Sequence, residues 1–304
     1  MRFVGIAAAH VAFVGFLLGL LLRLTARDSV DSFAVLFYAT PWPVLSVLPL
    51  GEAAVWFARK RRSVAALLLA LSAGCIAIWL TQSYFPPRAA QQPSDLRVLF
   101  WNAEHPKKRL PTVIAKVSSA NADLIGIAET EATKPADKQR WKNTFPTYSI
   151  HNLAGGLLFL SRSKSNLIES GPLGLGGDYH VLKTRVHGTD TIVIFANLSA
   201  APFRSRRPAF ERLNKVLGRY AGDEIILMGD FNTPRESVFF TELRKTMQHA
   251  FETAGSGFAE TWPVPIPVLS LDHVWTSGQF TITGCKLGWW LVSDHRPVIV
   301  ELTR

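Results

Sequence analysis

The 304-residue sequence holds only two cysteines, Cys75 in an apolar stretch near the front and Cys285 far downstream. Two thiols so placed give neither a disulfide framework nor a cysteine-based metal site. Internal repeats and low-complexity tracts are missing, so the chain is not a repeat array. No run interleaves basic and aromatic residues in the manner of a platform for single-stranded nucleic acid. Arg204, Arg206 and Arg207 are the tightest basic cluster and precede a helical pattern, reading first as a solvated helix start and second as phosphate contacts. Formal charge is absent from residues 4–22, 19 positions, and from residues 64–80, 17 positions. Such lengths fall within or at the short end of what crosses a bilayer as a helix.

These uncharged stretches concentrate an apolar fraction of 48%, high for a purely soluble protein, at the front of the chain. Residues 33–58 form a further apolar stretch, interrupted by Pro41, Pro43, Pro49 and Glu52. The expectation is a transmembrane region of about three spans, at 4–22, 33–58 and 64–80. A cleaved signal peptide is the rival for the first, but only Arg2 supplies a charged front and no A-x-A-like site follows Leu22. Arg59, Lys60, Arg61 and Arg62 form a basic cluster expected to stay cytoplasmic. Three spans then leave the N-terminus inside and everything after Leu80 outside, which in a bacterium means the inner or plasma membrane with a periplasmic or extracellular domain. Two spans would reverse this. Glu52, the one acid inside an expected span, is a candidate functional residue, but within helical reach of Trp56 and Arg59 it reads first as an acid near the cytoplasmic interface. The net charge is +10, but from Asp95 onward 25 basic residues face 20 acidic ones, so half of the excess belongs to the membrane part. Basicity is therefore weak evidence for a nucleic-acid partner.

Residues 83–95, rich in Pro and Gln, read as a linker between an anchor (1–82) and a domain (96–304). Its dozen residues reach at most about 40 Å, which keeps the domain near the membrane surface. From Leu96 short apolar runs alternate with helical patterns, the mark of a layered α/β domain. Strands are expected at 97–101, 124–128, 156–160, 179–186, 191–196, 225–228 and 271–276, with a closing pair around 293–297. Helices are expected at 112–119, at 206–220 with Phe210, Leu213, Val216 and Leu217 on its apolar face, and around 237–249. Thr233, Pro234 and Glu236 have the order of a capping box opening that last helix.

The central stretch is EIILMGDFNTP, residues 224–234. Its apolar run stops at Gly229, leaving Asp230 and Asn232 two apart at a strand end and so on one side of an extended chain. The same arrangement recurs: Asn102, Glu129, Asp272, and Asp294 with His295 each follow or open an apolar run. Singly such residues are ordinary turn formers; together they suit a hard cation, which takes oxygen ligands and needs only one or two carboxylates.

In order and wording these segments resemble the endonuclease/exonuclease/phosphatase superfamily of metal-dependent phosphoesterases, over Leu96 to the C-terminus. The resemblance rests on WNAEH (101–105), DLIGIAE (123–129), GDFN (229–232), LDHVW (271–275) and SDHRP (293–297). It implies a four-layer α/β sandwich, two packed mixed sheets flanked by helices. It also implies a magnesium or manganese ion held principally by Glu129, with Asn102, Asp294 and Glu104 contributing. Asp230 would activate the attacking water, Asn232 assist at the phosphate, and Asp272 orient His295. The substrate implied is a phosphoester, nucleic acid or lipid, with the bilayer as the other partner. One departure stands at 191–202, where the family strand ends in a His that contacts phosphate and this chain has Asn197. An Asn donates a hydrogen bond but carries no positive charge. His180 and Arg204 are substitutes by sequence proximity, although His180 also reads as an ordinary strand residue. Asn197 opens a second reading, a membrane-bound binding or regulatory protein that keeps the fold with impaired catalysis. Trp262, Trp289 and Trp290 suit a substrate cleft, a lipid surface or core packing.

Overall fold

Two kinds of apolar patterning produce two kinds of structure in the computed structural model, which describes residues 2–87, 94–130, 134–174 and 176–304. The chain divides into one unit of Met1–Phe85 with Ala201–Ser205 and another of Pro86–Ala200 with Arg206–Arg304. The expected linker lies partly outside the described residues.

The first unit contains helices α1 (Arg2–Leu24), α2 (Asp31–Ala39), α3 (Trp42–Ala58) and α4 (Arg62–Ser83). Val4–Leu24 and Arg62–Ser83 are long and apolar enough to cross a membrane. The stretch expected as one span at 33–58 is instead two helices bent by 74°, so the count is two, or three if the bent pair forms one span. The break falls at Pro41, which stands extended at ψ 162° as the N-cap of α3. Proline disfavours the helical region for the residue before it, and Thr40 accordingly leaves α2. Arg23, itself buried, donates to the carbonyls of Phe37 (3.0 Å) and Thr40 at this break. Phe16, Trp42, Leu45 and Cys75 form the buried centre of the helices. Glu52 is buried as well: it accepts from Trp56 Nε1 (2.7 Å) and meets His10 Nδ1 (2.7 Å), while Arg59 lies over the Trp56 ring. The carboxylate is thus met within the helices rather than by the basic cluster.

The second unit is an α/β sandwich. Its strands are β1 (Leu96–Asn102), β2 (Leu124–Ala128), β3 (Ser149–Leu153), β4 (Leu157–Ser161), β5 (Ser165–Pro172), β6 (Asp178–Val186), β7 (Thr189–Asn197), β8 (Glu224–Asp230), β9 (Met247–His249), β10 (Asp272–Ser277), β11 (Thr281–Leu287) and β12 (Val298–Thr303). They form two mixed six-stranded sheets, ordered β11-β12-β1-β2-β4-β3 and β9-β10-β8-β7-β6-β5. Helices α5 (Leu110–Ser119) and α6 (Pro135–Thr144) belong with the first sheet and α7 (Arg207–Arg219) with the second. Alternation along each central strand explains the four layers. Leu99, Trp101, Ile125 and Ile127 pack outward with Val113, Ile114 and Val117 of α5. Ile192, Ile194, Ile225 and Leu227 pack outward with Phe210, Leu213 and Val216 of α7. The alternate residues meet between the sheets: Phe100 and Phe195 stack edge to face at 5.8 Å, and a Cβ on Gly126 would stand 2.6 Å from Met228 Sδ. Strands buried on both faces must be apolar at every position, which is why they appear in the sequence as unbroken runs.

Three sequence expectations differ from the fold. The helix at 237–249 is absent; a 3-10 turn at Val238–Phe240 leads to a single α turn at Leu243–Thr246 and then to β9, which pairs with β10. The expected capping box opens no helix: the Thr233 hydroxyl donates to Phe231 O (2.7 Å), and Ser237 caps the 3-10 turn by accepting from Phe239 N. The closing pair lies at β11 and β12, on either side of residues 293–297, which form a loop; Val298–Leu302 pairs antiparallel with β1. Edge strands β3 and β5 and helix α6 lack a clear sequence pattern; β5 leaves Leu167 and Ile168 exposed.

Candidate active site

Parallel pairing places Asn102 beside Ala128, so Glu129 begins just past the same edge of the first sheet. In the second sheet Asn197 pairs with Asp230, and antiparallel β10 starts with Asp272 opposite Asp230. Gly229 makes this junction feasible: a Cβ there would stand 1.8 Å from Ala196 O, closer than any side chain allows. The polar residues gather where the chain leaves regular structure, and Glu104, His105, Glu129 and Asn232 all adopt positive φ. Non-glycine residues in this conformation persist only where surroundings over-determine them.

Asn102 joins the two sheets. Its Nδ2 donates to Glu129 Oε1 (3.1 Å) and to Asp230 Oδ2 (2.9 Å), while its Oδ1 accepts from Glu104 N (3.0 Å). Asp230 Oδ1 accepts from Asn232 N (2.9 Å), and Asn232 Nδ2 donates to Leu198 O (2.9 Å). Asp272 Oδ2 meets His295 Nδ1 at 2.8 Å, which points His295 Nε2 the other way, 3.9 Å from Asp294 Oδ1. Asp230, Asp272 and His295 are all buried, with ligand-type atoms within 4.8 Å of one another.

Burial sets the charge states. Loss of water, reinforced by the Asp272 charge, pushes the Asp230 carboxyl up to about 7 despite His295 and the Asn102 hydrogen bond. For His295 burial opposes the cation, but the Asp272 charge and hydrogen bond, with Asp230 and Asp294, outweigh it and raise the ring to about 10. The site thus holds a positive imidazole beside a carboxyl poised to gain or lose a proton at neutral pH.

Other predicted residues are distributed as follows. Glu104 turns its carboxylate to Arg109 (3.0 Å) and is 44% exposed, apart from the converging group. Glu129 is partly open and meets His105 Nε2 at 3.3 Å. Asn197 is half-buried at the end of β7, next to Asp230 in register. His180 is bound between Ser170 Oγ (2.7 Å) and Ala154 O (3.1 Å), and burial pushes its pKa down, so it is no substitute cation. Arg204 falls in the Ala201–Ser205 segment of the other unit. Arg206 is not a solvated helix start: it is buried and donates to Asn232 O (3.0 Å). The tryptophans divide. Trp262 Nε1 donates to Asp294 Oδ2 (2.8 Å), Trp290 packs on Trp101, and Trp289 is exposed beneath the Arg296 guanidinium (4.2 Å).

Sequence reasoning passed over three supports. Ser293 Oγ donates to Asn102 O (2.8 Å) and accepts from His295 N (3.0 Å); Trp101 Nε1 donates to His295 O (2.9 Å). Arg206 is the third. Ser293 and Trp101 lie inside the quoted motifs, and Arg206 lies in the basic cluster read as a helix start or phosphate contact; none of these signals pointed to the support each one gives.

The donor set suits a hard divalent cation. Carboxylates and an amide predominate, Asp272 Oδ1 and Asp294 Oδ1 are buried without a hydrogen-bond donor among the described residues, and burial, with the neighbouring Asp272 charge, already raises Asp230.

Two packed mixed sheets with helices outside and a polar centre at their shared edge define an endonuclease/exonuclease/phosphatase-type sandwich. The sequence profile of the Endonuclease/Exonuclease/phosphatase family matches residues 99–295, and the chain belongs to that family. Solved structures agree in fold. A family member from Bacteroides vulgatus superposes with a TM-score of 0.57 at 17% identity, over 68% of this chain and 98% of its own. The mannosyl-6-phosphatase of Bacteroides thetaiotaomicron gives 0.53 at 17%, over 69% and 100%. D. rerio TDP2 complexed with a single-strand DNA product gives 0.55 at 14%, over 69% and 99%. No curated protein matches the sequence.

Proposed function

We propose that the protein is a membrane-anchored, divalent-metal-dependent phosphoesterase that hydrolyses a phosphodiester by in-line attack of water. The observation that carries this reading is the buried Asp230–Asp272–His295 group, linked through Asn102 to Glu129 at the shared edge of two sheets. Glu129 and Asn102, with Asp294, would hold magnesium or manganese, which supplies charge stabilisation to the phosphoryl oxygens. Asp230, poised near neutrality, orients the water and accepts its proton, the range in which a general base works best at pH 7. Asp272 keeps His295 protonated on Nδ1 and aims Nε2 at the phosphate or the leaving oxygen. Asn232 commits one amide hydrogen to Leu198 O and turns the other, with the Asn197 amide, to the phosphate.

Anchoring is supported by the apolar helices Val4–Leu24 and Arg62–Ser83, and the basic cluster at 59–62 favours a cytoplasmic position between spans. With three crossings the N-terminus is cytoplasmic, and residues 96–304 form a catalytic domain on the periplasmic or extracellular side. Substrates compatible with that position are extracellular nucleic acid, a phospholipid headgroup or another envelope phosphoester. The test is a screen of the purified full chain with magnesium or manganese against bis-p-nitrophenyl phosphate, plasmid DNA and phospholipid vesicles. Asp230→Ala and His295→Ala are each expected to abolish turnover. Unchanged activity in either refutes the assignment, and no wild-type turnover in any metal favours the binding-protein reading.

A further inference from the structure

Strand β10 presents consecutive residues to opposite faces. Asp272 faces His295, whereas His273 faces the outer layer, where it is buried among the rings of Phe231, Phe240 and His249. Three hydrogen bonds run in line through this second face. The Glu252 backbone N–H donates to His249 Nδ1 (3.1 Å), His249 Nε2 meets His273 Nδ1 (3.0 Å), and His273 Nε2 meets Thr233 O (3.0 Å).

The protons in this series are fixed from both ends. A backbone N–H only donates, so His249 Nδ1 is bare and its single proton sits on Nε2. A carbonyl only accepts, so His273 carries its proton on Nε2 and leaves Nδ1 to receive His249. One arrangement of two neutral rings satisfies every atom, and protonating either ring would set two N–H groups against each other. Burial favours the same state, holding His273 at about 4 and His249 well below its ordinary value, against the Asp272 and Glu252 charges in the case of His273 and with the neighbouring Arg235 and Arg244 in the case of His249.

The series ends on the loop that carries Asp230. Each carbonyl there has its own donor: Leu198 N on Asp230 O (2.8 Å), Thr233 Oγ1 on Phe231 O (2.7 Å), Arg206 on Asn232 O (3.0 Å) and His273 on Thr233 O. Asn232 sits at φ +46° inside this set, and its N–H is the donor that turns Asp230 Oδ1. Losing the Thr233 anchor would free Asn232 to relax and the Asp230 carboxylate to rotate.

We propose that His273, backed by His249, is a positioning residue for Asp230, acting through the Thr233 carbonyl and the Asn232 turn. The inference rests on Asp230 being the group that handles the attacking water. The test compares His273→Gln, whose amide both donates to Thr233 O and accepts from His249, with His273→Phe, which fills the space without a donor. In the purified full chain with manganese and bis-p-nitrophenyl phosphate, His273→Phe is expected to lower kcat by about a hundredfold, the usual cost of a small misplacement at a reacting centre, with KM within about twofold. His273→Gln should recover most of that loss. His249→Phe, which removes the far end, should give a smaller fall in kcat and stands in if His273→Phe does not fold. A second readout needs no turnover: imidazole 15N spectra should show protonated Nε2 and bare Nδ1 on both rings. The proposal is overturned if His273→Phe folds and keeps kcat within about threefold, if the Gln and Phe variants fall equally, or if either ring shows the opposite tautomer. Should wild type hydrolyse nothing, the functional reading fails and the positioning role with it, whereas the opposite tautomer in an active enzyme overturns the positioning role alone.

Discussion

Glu129 and Asp230 are both acids at the ends of central strands, they share the amide of Asn102, and they live in opposite surroundings. The Glu129 side chain is 28% exposed, whereas Asp230 is 1% exposed with both oxygens engaged. One half of the site is partly open to solvent; the other is buried and held in fixed geometry by its hydrogen bonds. Position in the layers, rather than residue type, divides these roles. Glu129 lies past the end of its strand on a left-handed turn, while Asp230 is the last residue within its strand and is covered by Asp272 and His295.

The contrast is broken most severely by neutralising each acid in turn. Glu129→Gln and Asp230→Asn should each lower kcat/KM by about 10³-fold or more. Only the Glu129 variant should recover as magnesium or manganese is raised, and equal recovery in a metal titration would erase the distinction. Asp272→Asn comes next, with a loss of about a hundredfold. Without its carboxylate the His295 ring should titrate well below about 10, so the alkaline limb of the pH–rate profile should move down. Stability moves the other way for Asp230. A carboxyl raised to about 7 binds its proton more tightly folded than unfolded, so its contribution is fully present below about pH 4 and lost as pH rises through about 7. Asp230→Asn should therefore flatten the fall in stability of the metal-free protein between about pH 4 and 7, read by thermal unfolding. Asn197→His, restoring a cation at the end of β7, should raise kcat by about threefold to tenfold. Glu104→Gln should stay within about twofold in a metal titration, since its carboxylate is already paired with Arg109.

Much of this was legible in the sequence where burial leaves no freedom. Strands such as Leu124–Ala128 and Glu224–Asp230 are covered on both faces, and their polar ends stand out against unbroken apolar runs. The edges were not legible, because a largely exposed edge strand such as Ser165–Pro172 tolerates mixed composition. Around Phe239 and Phe240 the apolar spacing imitates a helix, but those rings serve a cluster with Phe210, and the chain turns back into β9. Asp230, Asp272 and His295 announce themselves at motif ends, whereas their supports do not. Ser293 reaches Asn102 across 191 residues of chain, and Arg206 reaches Asn232 across 26, pairings that only the sheet topology creates.

Gly229 carries a consequence for how this protein can change. The hydrogen at its α-carbon is the whole clearance between β7 and β8, since any Cβ would drive Ala196 O aside. A substitution there would not merely loosen packing; it would part Asn197 from Asp230, which the strand register sets side by side. Surface loops such as those bearing Ile266 and Leu291 can accept substitutions at little cost to the fold. Position 229 has no such latitude, so sequence change is expected in the loops while the spacing of the two strands stays constant.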